Sequence, residues 1–66
     1  METAKLTTAV NNLITCAHLA MYEGDYKAAS NYFRIVATIT DAIEAGEDDN
    51  SLHGRYLIEY AAGKHR

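Results

Sequence analysis

Two long runs of apolar residues at helical spacing, separated by a very short connection, constrain the fold of this chain more than any other feature of its sequence. The first run places its apolar residues along one side of a helix: Leu6, Val10, Leu13, Ile14, Ala17, Ala20 and Met21. Between the runs, Gly24 suits the left-handed end of a helix, and Asp25 suits the N-cap of the next one. So short a connection predicts antiparallel neighbours, with helices over about residues 3–23 and 26–45.

The second run is apolar over a wider part of its circumference than the first. Its apolar residues are Tyr26, Ala28, Ala29, Tyr32, Phe33, Ile35, Val36, Ile39, Ala42 and Ile43. They span an arc of about 200°, about twice the stripe of a helix that is buried on one side only. This width predicts that the second helix is covered from two directions and is the central element, with Phe33 buried. The segment Arg34–Thr40 is rich in β-branched residues and could be a strand. Because helical spacing continues on both sides of it, we predict a helix here.

A shorter third helix is predicted over about residues 51–62. The acidic segment Gly46–Ser51 before it is predicted to be a solvated loop, with its asparagine and serine available as caps and its acids well placed near the helix N-terminus. Gly54 is expected to weaken this helix and Gly63 to end it. Its apolar face is formed by Leu52, Tyr56, Leu57, Tyr60 and Ala61. A helix of about three turns is marginal alone, so tertiary packing must hold it.

The chain has 66 residues and a single cysteine, which limits how it can be stabilised. This length predicts one domain (1–66) near the lower limit for an independent core, without an internal disulfide. An unpaired cysteine without an export signal indicates a reducing cytoplasm, and the Thr, Asn and His content of Leu6–Tyr22 argues against a membrane span. The sequence therefore predicts a soluble, cytoplasmic, all-α, three-helix domain: an antiparallel helical hairpin plus a shorter C-terminal helix.

No arrangement of residues in the sequence indicates a reaction or a metal site. Cys16 and His18 are two positions apart and point to different faces of a helix, and no CxxC or HxxxH spacing supplies further ligands. Cys16 is predicted to be a small apolar residue beside the core, and His18, His53 and His65 to be ordinary solvated histidines. The acidic loop lacks the alternating acids and distal glutamate of a calcium loop. We therefore predict no catalytic residue, no cofactor and no metal.

The outer side of the first helix is polar but carries no charge. Within seventeen residues that lack Asp, Glu, Lys and Arg, this side is formed by Thr8, Asn11, Asn12, Thr15, His18, Leu19 and Tyr22. Loss of charge with retained hydrogen-bonding groups is typical of a surface that a partner covers, and adjacent asparagines can fix register. A solvated face is the alternative, although Thr and Asn are poorer helix formers than Lys or Glu. We expect a partner to dock here, with Leu19 and Tyr22 as anchors.

The chain contains five tyrosines and no tryptophan. Tyrosine can bury its ring while its hydroxyl stays in water, a combination that is enriched at interfaces. Tyr22 fits equally well at an interface or at the margin of a thin core. Tyr56 and Tyr60 are predicted to belong to the core.

A short motif follows the first turn: Ala29 and Phe33 are spaced as Ala-x-x-x-Phe, after the sequence Gly-Asp-Tyr at positions 24–26. In this respect residues 10–41 resemble one helical hairpin of a tetratricopeptide repeat. The first helix departs from that family, which has Trp, Leu, Gly and Tyr at the positions of Leu13, Cys16, Ala17 and Ala20. The sequence contains no second copy of the repeat, although about three repeats are normally needed for stability. The resemblance implies protein binding on a helical surface.

These features predict a small, non-catalytic interaction or regulatory protein that docks helix on helix and also self-associates. An inhibitor that occupies the surface of a target protein fits this size. The alternative is a dimeric helical regulator that binds nucleic acid through Lys27, Arg34 and Lys64–Arg66, although a net charge of −3 without a basic stripe makes nucleic acid a poor partner. An enzyme would need a cleft with an activated base or nucleophile, and the sequence offers neither.

Overall fold

The computed structural model describes residues 1–64 of the chain. It contains helix α1 (Ala4–Tyr22), helix α2 (Tyr26–Glu44) and helix α3 (Leu52–Lys64). Helices α1 and α2 form the antiparallel hairpin, and the shorter α3 packs against both. The predicted fold class is confirmed. Within residues 1–64, no helix combines the length and the apolar character needed to cross a membrane.

Local sequence signals determine the hairpin turn. Gly24 has φ +78°, and Asp25 caps α2 by accepting a hydrogen bond at Oδ1 from the backbone N–H of Ala28 at 3.1 Å. The backbone N–H of Asp25 donates to the carbonyl of Ala20 at 2.8 Å, which closes the turn against the end of α1. Gly46 has φ +99° just after α2, as its predicted role at the end of that helix requires.

The core lies where the three helices meet. Leu6, Leu13 and Ile39 are its largest fully buried side chains, and α3 contributes Leu57 and Ala61. Helix α2 is covered from two directions, by α1 and by α3, as predicted, but it is no more central than α1. All three pairs of helices are in contact. Helix α1 contributes five buried residues, whereas α2 contributes three. Part of the wide apolar arc of α2 is covered by neither neighbouring helix and faces solvent.

Helix α3 packs through a face that includes two predicted residues, Leu57 and Ala61, and one that was not predicted, Gly54. Its buried residues are Gly54, Leu57 and Ala61, at spacings of three and four. The other three residues of the predicted apolar face, Leu52, Tyr56 and Tyr60, are 85%, 60% and 41% exposed, so that part of the prediction was wrong. At Gly54 the backbone of α3 lies close to the preceding loop. The rings of Tyr56 and Tyr60 are turned outward.

The structure gives Gly54 a contact that was not predicted, and it corrects the expectation that Gly63 ends α3. Gly54 is buried at a close contact with the preceding loop, whereas Gly63 lies inside a helix that continues to Lys64. The hydroxyl of Tyr32 donates to the carbonyl of Lys64 at 3.4 Å and links the end of α3 to α2.

The acidic loop is not a simple solvated linker, because Asp49 is 6% exposed. Its carboxylate accepts the backbone N–H groups of Lys5 and Leu6 at 2.9 and 3.0 Å, and its own N–H donates to the carbonyl of Glu2 at 2.8 Å. Asp49 therefore caps α1, not α3. The cap of α3 is Ser51, whose Oγ accepts the N–H of Gly54 at 3.1 Å, as the presence of serine in this loop predicted.

Candidate protein-docking site

All seven residues of the predicted contact face are exposed on the outer side of α1: Thr8, Asn11, Asn12, Thr15, His18, Leu19 and Tyr22. The hydroxyls of Thr8 and Thr15 donate to the carbonyls one turn earlier, at 2.9 and 3.1 Å. The two threonines are thus bonded within their own helix, and Asn11 and Asn12 are the residues of this face whose amides suit a partner's polar groups.

The structure divides this face into two parts. At one part, two of the polar residues border a shallow depression beside α3, which is lined by Lys5, Thr8, Asn12, Ile58 and Ala62 among others. At the other part, near the hairpin turn, a second depression is lined by His18, Met21, Tyr22 and Tyr26. The two depressions lie towards opposite ends of the predicted face, which runs along α1 from Thr8 to Tyr22 without a charged residue.

The part near the turn is an exposed apolar patch. The ring of Phe33 lies beside it, with its centroid 6.4 Å from that of His18 in an edge-on arrangement. Leu19 adjoins it one helical turn before Tyr22 on the same surface of α1. We define the turn patch as His18, Leu19, Met21, Tyr22, Tyr26 and Phe33, all of which are exposed.

Sequence reasoning missed half of this patch. Met21, Tyr26 and Phe33 were assigned to the apolar faces of their helices, yet they are 46%, 68% and 40% exposed. The bond between Tyr32 and Lys64 indicates the reason, because it places the last described residue of α3 beside Tyr32, more than one helical turn along α2 from the hairpin turn. The short length predicted for the third helix was the available signal.

Small residues lie beneath the turn patch. Ala17 and Ala20 of α1 and Ala29 of α2 are buried between the two helices. Alanines at this contact let the helix axes approach closely, so that no larger side chain is enclosed between them. The rings and the methionine of the patch therefore lie outside the contact and remain available to a partner.

Charged residues flank Tyr22 and Tyr26 of the patch in the sequence. Glu23, Asp25 and Lys27 are exposed on either side of Gly24, and none of them belongs to the patch itself. An apolar centre with a charged or polar rim is the usual arrangement of a protein-binding surface.

Phe33→Ala is expected to lower the free energy of unfolding by only about 1–2 kcal/mol, because the ring is already partly in water and its removal opens no closed cavity. The sequence, which placed this ring in the core, implied a loss of about 3–5 kcal/mol. Urea denaturation followed by circular dichroism measures the difference. A loss above about 3 kcal/mol would show that the ring is buried after all.

The residues considered for chemistry are dispersed. Cys16 is half-buried, and His18 and His53 are exposed on different helices. Among residues 1–64, no group of three or more His, Cys, Asp or Glu side chains is placed to hold a metal ion. His65 lies outside the described part of the chain, as does Arg66.

The resemblance of residues 10–41 to a tetratricopeptide repeat stays a prediction. Its two motif residues differ in the structure, since Ala29 is buried between the helices and Phe33 is 40% exposed. Comparison of the chain with protein-family models, with curated proteins and with solved structures finds no match.

Proposed function

We propose that this chain is a non-catalytic protein-binding protein that docks on its partner, helix on helix, through the turn patch. The observation that carries the proposal is the exposure of large apolar side chains around the hairpin turn, with Tyr22 at 91%, Tyr26 at 68% and Leu19 at 58%. A contiguous apolar patch on a small protein is characteristic of a binding surface. Tyrosine is also among the residues that contribute most to binding energy at interfaces.

The polar residues next to the patch support the same function. Asn11 and Thr15 continue along α1 from the patch without any charge, and Asn12 lies beside them. An amide can both donate and accept, so this row can satisfy backbone or side-chain groups of a partner helix around the apolar anchors. We assign Leu19 and Tyr22 as the central anchors, flanked by this polar row.

A second copy of the chain is one partner that fits this surface. A chain of 66 residues buries a smaller fraction of its surface than a larger domain does, and association covers apolar area that the single chain leaves in water. A protein of this kind acts by occupying the surface of its target, as a regulator or an inhibitor does. The single half-buried thiol, Cys16, supports action in a reducing compartment such as the cytoplasm.

The double variant Leu19→Lys/Tyr22→Lys is expected to weaken association at least about tenfold, because two large apolar contacts are replaced by charges that must be desolvated. Its helical circular dichroism should stay close to that of the unmodified chain, since both side chains are exposed. Light scattering measures self-association, and affinity capture from the host lysate measures binding to other proteins. Leu52→Lys is the matched control, as Leu52 is 85% exposed on α3, outside the patch.

Three results would count against the proposal. A chain that is monomeric at all concentrations and captures no protein would have no docking function. Equal loss of association in the double variant and in Leu52→Lys would place the contact elsewhere. Loss of helicity together with association would mean that Leu19 and Tyr22 support the fold instead of a partner.

A further inference from the structure

A second surface with different chemistry lies between α2 and α3. Two adjoining depressions of about 470 and 350 Å³ share Arg34, Ile35 and Tyr60 in their lining. We call them together the α2–α3 groove, which presents Tyr32, Arg34, His53, Tyr56, Tyr60 and Lys64. None of these residues belongs to the turn patch.

Aromatic rings form a row along the α3 side of this groove. The rings of His53 and Tyr56 are stacked with centroids 6.4 Å apart, and those of Tyr56 and Tyr60 with centroids 6.0 Å apart. Their planes are inclined by only 14° and 15°. The buried residues of α3 are Gly54, Leu57 and Ala61, and the three rings of the row lie outside that buried face. All three rings of the row are exposed to solvent.

Positive charge is concentrated at the end of the row. The Nζ atom of Lys64 lies 5.3 Å from the centroid of the Tyr60 ring, a cation–π arrangement. Across the groove, Nη1 of Arg34 donates to Oδ1 of Asn31 at 3.3 Å, which positions the guanidinium on α2. Among the described residues that line the groove, none is acidic, although the chain has nine acids and a net charge of −3.

We propose that the α2–α3 groove binds an acidic peptide segment that also carries aromatic or aliphatic side chains. The guanidinium of Arg34 suits a carboxylate because its planar N–H groups can make two parallel hydrogen bonds. Lys64 provides a second cation on the opposite wall. The rings of Tyr56 and Tyr60 supply contact area for the apolar side chains of the same segment.

The charge distribution favours a short acidic segment over nucleic acid. Affinity for nucleic acid grows with the number of phosphates that are neutralised, and the described part of the groove offers two permanent cations. A strand longer than the groove would run over a molecule of net negative charge. A peptide can instead place two or three carboxylates at the cations and the rest of its contacts at the rings.

The test uses the full chain and a dye-labelled random copolymer of glutamate and tyrosine at low ionic strength, with fluorescence anisotropy as the measurement. Polyglutamate reports on charge alone, and oligothymidylate reports on nucleic acid. The groove variant is Arg34→Glu/Lys64→Glu. Its control, Lys5→Glu/Arg55→Glu, changes the net charge equally on a different surface, where Lys5 and Arg55 lie with Asp49 and Glu59.

We expect the copolymer to bind more tightly than polyglutamate, and the groove variant to lose at least about tenfold in affinity while its control changes less than about twofold. Leu19→Lys/Tyr22→Lys should bind the copolymer normally, which separates this site from the turn patch. Circular dichroism checks folding, and Arg34→Gln/Lys64→Gln replaces the groove variant if charge reversal unfolds it. Absence of copolymer binding, equal losses in the two charge variants, or tighter groove-dependent binding of oligothymidylate would each overturn the proposal.

Discussion

Replacing Gly54 with alanine is expected to lower the free energy of unfolding by about 3 kcal/mol. A Cβ atom added at this position would lie 1.8 Å from the carbonyl oxygen of Asp48 and 2.8 Å from its carbonyl carbon. Both are backbone atoms, so no side-chain rotation can relieve the overlap. Either the loop or α3 must move, and movement of α3 would disturb the packing of Leu57 and Ala61 against the hairpin. Urea denaturation followed by circular dichroism measures the loss.

Gly63→Ala is the matched control because it lies in the same helix. An added Cβ at Gly63 meets no atom of residues 1–64 within 4 Å. Alanine restricts the unfolded chain more than glycine does, so this variant is expected to be more stable than the unmodified chain by about 0.5–1 kcal/mol. A destabilisation of similar size in both variants would show that the close contact between α3 and the loop does not exist in solution.

Asp49→Ala is expected to lower the free energy of unfolding by about 2–3 kcal/mol. The substitution removes the acceptor of the N–H groups of Lys5 and Leu6, and the bond to Leu6 is buried. An N–H group that is kept from water without a partner costs more than the bond itself contributed. The negative charge that favours the N-terminus of α1 is lost as well. Thermal and urea unfolding of the variant and the unmodified chain measure the effect.

Two further variants define the origin of that loss. Asp41→Ala removes the same carboxylate from an exposed position on α2 and is expected to change stability by less than about 0.5 kcal/mol. Asp49→Asn keeps one carbonyl acceptor without the charge, so its loss should fall between those of the two alanine variants. If Asp49→Ala lowered the free energy of unfolding no more than Asp41→Ala does, the cap on α1 would not stabilise the fold.

Local signals made most of the fold predictable. Gly24 and Asp25 determine the hairpin turn through the backbone of their immediate neighbours, and Ser51 caps a helix that begins at the next residue. These interactions span a few residues and can be recognised in the sequence. The helical spacing of Leu6 and Leu13 likewise identified the most deeply buried positions of α1.

The remaining features depend on contacts between distant residues. Asp49 and Leu6 are 43 positions apart, and no periodicity links a loop acid to the start of another helix. From the sequence alone, Gly54 is expected only to weaken a helix. The structure shows that the carbonyl of Asp48 leaves no room for a side chain at this position. The outer side of α1 is exposed, as its polar residues predicted. Phe33 was wrongly predicted to be buried, because an apolar pattern does not show whether a neighbouring helix covers each apolar residue.

The bonds of Asp49 have a consequence for how the molecule opens. They join the first turn of α1 to the loop that precedes α3, through both the side chain and the backbone of one residue. Fraying at the start of α1 is therefore not a local event, because it also releases the segment that anchors the third helix. Amide hydrogens in these two regions are accordingly expected to exchange as one cooperative unit, although Leu6 and Asp49 are 43 positions apart in the sequence.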